Sequence, residues 1–159
     1  MAKEIEKKYL VKNELLPKLS NGEIYIQGYL SLNPLIRFRV KGNSITITIK
    51  KVEKNGVSRD EWEFEKEMIN EEIEKLISLA IKKPVKKIRY KIKKEEFVWE
   101  IDVYQDENLG LITADIELPS VDTVFNFPEW IDKSMEITNN PNYFNVNLGD
   151  NPYCNWSKR

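Results

Sequence analysis

The chain has 159 residues, of which 41% are hydrophobic and 32% are charged, so it fits one domain with a sizeable core. Its net charge of −1, from 25 basic and 26 acidic residues, argues against a general electrostatic grip on nucleic acid or on an anionic membrane. The absence of histidine excludes a Ser-His-Asp triad and a histidine base, and the single Cys154 excludes an internal disulfide, so chemistry rests on carboxylates, Lys, Arg, Tyr and oxygen-seeking metals.

Strict alternation of apolar and polar residues predicts eight β-strands. In chain order these segments are 4–11, 23–32, 36–41, 44–51, 58–67, 86–93, 96–104 and 111–118. The turn sequences "KGNS" and "EKNG" lie between neighbouring segments and indicate antiparallel hairpins. Eight consecutive antiparallel strands tend to close on themselves, because closure removes exposed edges.

Two segments depart from this alternation and predict short helices. Segment 70–81, "NEEIEKLISLAI", begins with an Asn cap and acids, and its apolar residues recur at helical spacing. Segment 120–131, "SVDTVFNFPEWI", is predicted as a second helix that ends near Pro128. Segment 13–20 is compatible with one helical turn, and the Asn- and Pro-rich stretch from 138 is predicted irregular. No linker or signal-peptide-like run divides the chain, so we expect a single cytoplasmic domain over 1–159.

Sorting the strands by parity separates an apolar face from a charged face with nine basic and nine acidic residues. An ordinary sheet with one wet face is the simpler interpretation. However, predicted helices need an apolar surface to pack against, and this favours a closed barrel with a charged interior and helices outside. The fold class is therefore predicted as mainly β (α+β), an eight-stranded antiparallel barrel that forms a tunnel.

Converging Arg and Lys side chains suit a polyanion with oxygens on every side. The acids would repel that polyanion, and they make sense if they hold divalent metal ions that bridge to phosphate oxygens. Acids at i and i+2 place both carboxylates on one face of a strand. These pairs are Glu4/Glu6, Glu61/Glu63, Glu100/Asp102 and Asp115/Glu117.

The ordered strand motifs resemble a known family. "EIEKK" matches the Glu-x-Glu-x-Lys signature of the CYTH superfamily, the triphosphate tunnel metalloenzymes. "IRFRV", "TITIKK", "SRDEWEFE", "KKIRY", "WEIDVY" and "ADIEL" are similar to its later strands. The resemblance implies an eight-stranded tunnel that binds triphosphate with Mg²⁺ or Mn²⁺.

Site residues follow from the resemblance position by position. The implied phosphate ligands are Lys8, Arg37, Arg39, Lys50, Arg59, Lys87 and Arg89. The implied metal ligands are Glu4, Glu6, Asp115 and Glu117, and the acids that hold a second metal or orient water are Glu61, Glu63 and Asp102. Lys41, Glu65, Lys91 and Glu100 share the parity but match less well, and are expected in salt bridges at the surface or the tunnel mouth.

The implied activity is metal-dependent hydrolysis of a phosphoanhydride bond in a triphosphate, and inorganic tripolyphosphate is the favoured substrate. A second metal, or an acid such as Glu63 or Asp115, would position and deprotonate the attacking water, and Lys8 would stabilise charge on the phosphate. The alternatives are a class IV adenylyl cyclase-like activity, a thiamine or nucleoside triphosphatase, and a non-catalytic polyphosphate-binding module. The partner is a small triphosphate rather than nucleic acid or membrane, and the protein is expected as a monomer or homodimer. One departure is "NNPNYFNVNLG", which offers Asn142 where family members often carry a basic residue.

Overall fold

A computed structural model describes residues 5–52 and 58–156, and within them nine strands form one antiparallel sheet. The strands, β1 to β9, are Ile5–Val11, Glu23–Leu32, Leu35–Lys41, Ser44–Val52, Ser58–Glu67, Val85–Lys94, Phe97–Tyr104, Ile112–Leu118 and Ile131–Glu136. Their order across the sheet is β5-β4-β3-β2-β6-β7-β8-β1-β9. All eight predicted strands are present. The hairpin between β3 and β4 turns at Gly42, whose φ is positive at 61°.

The prediction of eight strands is wrong by one, because β9 was missed. Strand β9 pairs with β1 through a shifted register, and only Ile131 in it is buried. A strand with a single buried residue shows no alternation in its sequence, so the periodic signal was absent. Within the described residues no hydrogen-bonded ladder joins the edge strands β5 and β9, and the predicted closed barrel is therefore not confirmed.

Helix α1, Asn70–Ser78, packs on the apolar face of the sheet as predicted. Its buried Ile73 joins Phe38, Val40 and Ile45 in one hydrophobic cluster. The side chain of Glu72 accepts a hydrogen bond from the backbone N–H of Ile69, which caps the first turn. The helix stops before residue 81, the predicted end, and the N–H of Ile81 donates instead to the carbonyl of Tyr29.

The predicted helix over 120–131 is wrong. This segment crosses the same apolar face without helical structure, after a turn in which Ser120 and Thr123 hydrogen-bond each other. Phe125 packs edge-on against Phe97 and Trp99. An extended chain lets alternate aromatic residues reach the sheet, and the β-branched residues and Pro128 disfavour a helix.

The C-terminal segment covers one end of the opposite face of the sheet. Helix α2, Asn145–Leu148, places the buried Leu148 against Val85 and Tyr104. Tyr153 and Trp156 pack on the same cluster. No helix in the described parts of the chain is long and apolar enough to cross a membrane. The charged face is thus bounded at one end by apolar packing, and we call it the inner face.

Candidate functional site

The inner face encloses a polar cavity of about 320 Å³ that draws side chains from six strands and α2. Its lining residues are Glu6, Lys8, Gln27, Arg37, Arg39, Lys87, Arg89, Glu100, Asp115, Glu117 and Asn145. Strands β1 and β3 lie five strand spacings apart in the sheet, which in a flat sheet would be about 24 Å. One cavity contacts both strands, so the sheet curls around it.

Asp102 anchors two of the cavity's cations from behind. The side chain is fully buried, and its Oδ2 accepts a hydrogen bond from Lys87 Nζ at 2.8 Å. Arg89 donates to the same carboxylate through Nε at 2.7 Å and through Nη2 at 2.9 Å. Arg89 Nη1 also donates to Glu100 at 3.2 Å. These bonds fix the direction in which Lys87 and Arg89 face the cavity.

The ionisation of this group follows from burial and charge together. Burial alone would raise the pKa of Asp102, but the charges of Lys87 and Arg89 and their hydrogen bonds hold it at about 2. Burial lowers the pKa of Lys87 to about 8, against the attraction of Asp102 and with repulsion from Arg89 and Lys8. Burial also opposes the charge of Arg89, yet its bonds to Asp102 raise its pKa above the ordinary value.

Asp115 presents a carboxylate to the cavity, and one of its oxygens accepts no hydrogen bond from the described residues. Lys8 Nζ lies 3.7 Å from Asp115 Oδ1, and this buried oxygen has no hydrogen-bond partner in the described residues. Burial raises the pKa of Asp115 to about 7, with further increases from Asp102 and Glu6 and an opposing effect from Lys8. A buried carboxylate oxygen without a donor is free to bind a cation or a water molecule.

Arg37 and Arg39 complete the positive side of the cavity from β3. The Arg39 guanidinium lies 5.5 Å from the ring centroid of Tyr25, and that of Arg89 lies 5.1 Å from the same ring. Burial, together with repulsion from Arg37 and Arg89, lowers the pKa of Arg39. Its buried Nε has no hydrogen-bond partner among the described residues. An anion in the cavity would supply both the missing acceptor and the missing charge.

Lys50, Glu61 and Glu63 do not line this cavity. Lys50 Nζ is 3.7 Å from Glu61 Oε2, and Glu63 Oε2 accepts a hydrogen bond from Thr48. Both acids belong to the edge strand β5 and are exposed. Glu4 and the side chain of Arg59 lie outside the described residues, as does the predicted turn "EKNG".

Sequence reasoning missed three residues that line the cavity. Gln27 has the right parity in β2, but a neutral side chain carried no charge signal. Glu100 was expected in a salt bridge at the surface or the tunnel mouth, and it pairs with Arg89 in the lining of the cavity. Asn145, rather than Asn142, reaches the cavity, and its Oδ1 accepts a hydrogen bond from Tyr104 at 3.2 Å. Only the structure of the C-terminal segment could identify that Asn.

A second cavity of about 480 Å³ adjoins the first. The two share Glu100 and Glu117, and the rest of the second lining is Lys91, Glu96, Phe97 and Val98. This cavity lies at the hairpin between β6 and β7. It supplies the apolar surface that the first cavity lacks.

The donor set fits a hard divalent cation. Glu6 and Glu117 are register partners on β1 and β8, and Asp115 lies one inner-face position along β8 from Glu117. All are carboxylates, the ligands that Mg²⁺ and Mn²⁺ prefer. In residues 5–52 and 58–156 no three such side chains are already grouped as a metal cluster. The orphan Asp115 Oδ1 is the observation that agrees with a bound cation.

Comparison with known proteins agrees with this geometry. No family model matches the chain. The inorganic triphosphatase of Acetivibrio thermocellus is 40% identical over an alignment of 160 positions, which covers 99% of this chain and 100% of that protein. The crystal structure of the inorganic triphosphatase NE1496 superposes with a TM-score of 0.71 at 26% identity and covers 94% of this chain and 95% of that one. The chain therefore belongs to the inorganic triphosphatases of the CYTH superfamily, the triphosphate tunnel metalloenzymes.

Proposed function

We propose that this protein hydrolyses a phosphoanhydride bond of inorganic tripolyphosphate. The observation that carries the proposal is the convergence of five cations and four carboxylates on one polar cavity of about 320 Å³. The cations are Lys8, Arg37, Arg39, Lys87 and Arg89. A triphosphate offers oxygens to donors on every side, which matches cations that arrive from strands on opposite sides of the cavity. Two relatives that cover 99% and 94% of this chain are named as inorganic triphosphatases.

The lining of the cavity favours an inorganic substrate over a nucleotide. Pockets for organic ligands are mostly apolar, whereas the described lining of this cavity is polar throughout. The alternatives, a nucleoside or thiamine triphosphatase and an adenylyl cyclase-like enzyme, would require the organic group to occupy the adjoining cavity beside Phe97 and Val98. That cavity is the place to test if an organic triphosphate proves to be a better substrate.

We include Mg²⁺ or Mn²⁺ in the proposal. Glu6, Asp115 and Glu117 would hold the ion, and the resemblance implies Glu4 as a further ligand. When bound, such an ion neutralises phosphate charge and polarises the phosphorus–oxygen bonds. Asp102 is less suited as a ligand, because both of its oxygens already accept hydrogen bonds from Lys87 and Arg89.

The residues of the chain divide the remaining work. Lys87 and Arg89, held by Asp102, bind phosphate oxygens and stabilise charge that develops as the terminal phosphate departs. Asp115 positions the attacking water and takes its proton, and Lys8 stabilises the charged phosphate beside it. Water attacks the terminal phosphorus and the bridging P–O bond breaks, so the products are phosphate and pyrophosphate. Glu63, the other candidate base, is exposed on β5 and bonded to Thr48.

The closed tunnel and the cytoplasmic location also belong to this proposal. The curled sheet already brings β1 and β3 to one cavity, and closure between β5 and β9 would complete the enclosure of a bound triphosphate. The exposed free thiol of Cys154 is compatible with a reducing compartment.

The test is phosphate release from tripolyphosphate, ATP and thiamine triphosphate, each with Mg²⁺, Mn²⁺ or EDTA. We expect release from tripolyphosphate with a metal and none with EDTA. Release of pyrophosphate from ATP together with cyclic AMP would instead support a cyclase. Binding of tripolyphosphate without turnover under any condition would support a non-catalytic binding module and refute the proposed hydrolysis.

A further inference from the structure

Three side chains at one level of β3, β4 and β5 form a continuous hydrogen-bonded row. Arg37 is the register partner of Thr48, and Thr48 is the register partner of Glu63. Arg37 Nη2 donates to Thr48 Oγ1 at 3.3 Å, and Thr48 Oγ1 donates to Glu63 Oε2 at 3.2 Å. One hydroxyl therefore acts as acceptor toward the cavity and as donor toward the edge strand.

The environment of Thr48 leaves its hydroxyl little choice of orientation. Its side chain is 1% exposed, so water does not compete for the hydroxyl. A carboxylate accepts and cannot donate when ionised, so the Thr48 proton points to Glu63. The hydroxyl lone pairs are then left for Arg37, whose head group lines the cavity. Glu63 thus influences Arg37 through Thr48, although the acid itself lies outside the cavity lining.

We propose that Thr48 is a positioning residue that holds the Arg37 guanidinium toward the bound triphosphate, with Glu63 fixing the direction of the Thr48 hydroxyl. This inference rests on the proposed function. Arg37 is the cavity cation whose side chain donates a hydrogen bond toward β4 and β5, whereas Lys87 and Arg89 are held by Asp102. Loss of the Thr48 hydroxyl would therefore leave Arg37 free to adopt other rotamers, and each encounter with substrate would have to order it again.

A parallel row in the same strands provides the matched control. Arg39, Thr46 and Glu65 are register partners two residues away along the strands. Glu65 accepts its hydrogen bond from Ser44, and in the described residues the Thr46 hydroxyl bonds neither Arg39 nor Glu65. Thr46→Val therefore makes the same chemical change in the same strand without breaking a bridge.

The experiment compares Thr48→Val, Thr48→Ser and Thr46→Val with the wild type. The steady-state assay uses tripolyphosphate, and calorimetry in EDTA measures metal-free tripolyphosphate binding. We expect Thr48→Val to lower kcat/KM about tenfold, a factor typical of one hydrogen bond to a charged group. Thr48→Ser keeps the hydroxyl and should restore most of that loss. Thr46→Val should stay within about twofold of the wild type, since it removes no bridge.

A double-mutant cycle separates positioning from general damage to the fold. In an Arg37→Ala background the guanidinium is absent, so Thr48→Val should cause no further loss of kcat/KM or of metal-free binding. A Thr48→Val enzyme as active as the wild type, or a loss that adds fully to that of Arg37→Ala, would overturn the inference. A wild-type protein that neither binds nor hydrolyses tripolyphosphate would refute the proposed function itself, which is a separate result.

Discussion

Replacement of Asp102 by Asn tests the anchoring of the cavity cations directly. The change keeps the size of the side chain and removes its charge. Asp102 is fully buried and accepts three hydrogen bonds from Lys87 and Arg89. An Asn amide offers one oxygen, and its NH₂ group would face a donor at the other position. The Asp102→Asn variant therefore loses the negative charge that balances Lys87 and Arg89, together with at least one hydrogen bond.

The size of the effect follows from two lines of reasoning. The pKa of Asp102 is held at about 2 rather than 3.8, which corresponds to about 2 kcal/mol of stability at neutral pH. A folded-state pKa below the unfolded one contributes stability that is present above pH 3.8 and is lost as the pH falls toward 2. Removing one partner of a buried ion pair costs about 3–5 kcal/mol. Arg89 keeps Glu100 as a partner, so we expect a loss near the lower limit, about 3 kcal/mol.

Urea unfolding followed by the fluorescence of the 4 Trp residues measures this loss at pH 7.5. In thermal unfolding of a chain of this size, a loss of about 3 kcal/mol in the free energy of unfolding should lower Tm by about 6–12 °C. Glu107→Gln is the control, because it breaks the exposed pair with Lys83 and should leave the unfolding midpoint unchanged. A loss below about 1 kcal/mol for Asp102→Asn, with equal m-values, would refute the view that Lys87 and Arg89 depend on this carboxylate.

Three further outcomes are expected. Addition of EDTA should abolish phosphate release from tripolyphosphate, and excess Mg²⁺ or Mn²⁺ should restore it; release that persists in EDTA would contradict metal dependence. Glu6→Gln should lower kcat by at least about 100-fold, because the variant loses a proposed metal ligand. Lys91→Ala should change kcat by less than about threefold, because that exposed side chain does not line the first cavity. A larger loss for Lys91→Ala than for Glu6→Gln would show that the inner-face assignment is wrong. Gly28→Ala should cost about 1–3 kcal/mol in urea unfolding, since a Cβ there would lie 2.4 Å from the buried Phe38 ring, and an unchanged midpoint would mean that this packing relaxes freely.

Most of the sheet could be predicted from the sequence because apolar residues alternate with polar or charged residues along most of its strands. That contrast gives β1 to β8 a period of two. In β3, for example, Phe38 and Val40 are buried on the apolar face of the sheet, and Arg37 and Arg39 on the inner face line the cavity. Strand β9 could not be predicted in this way, since Ile131 is its one buried residue and no alternation results. The predicted helix over 120–131 is wrong because Phe125 and Phe127 reach the sheet from an extended chain, and their spacing of two residues is not helical.

The charged residues of the site could be predicted from the sequence, but the hydrogen bonds and contacts between them could not. Parity identified Lys87, Arg89 and Asp102 as inner residues, but parity does not show that Asp102 uses both oxygens on those two cations. Nor does it show that Asn145 reaches the cavity, because that contact depends on how the C-terminal segment folds back. Nor does parity show that Thr48 bridges a base to an acid, because Thr46 has register partners of the same kind and the two rows differ only in their side-chain hydrogen bonds.

The balance of charge in the cavity explains why composition hides this site. Among the described residues, five cations and four carboxylates line it, and the buried Asp102 balances the one remaining positive charge. In the same residues Arg39 Nε has no hydrogen-bond acceptor and Asp115 Oδ1 has no hydrogen-bond donor. In the proposed function, a metal–triphosphate complex would bring an anion to Arg39 and a cation to Asp115 together. Such a complex would suit this lining better than either component alone, and it would be recognised inside the cavity although the chain has a net charge of −1.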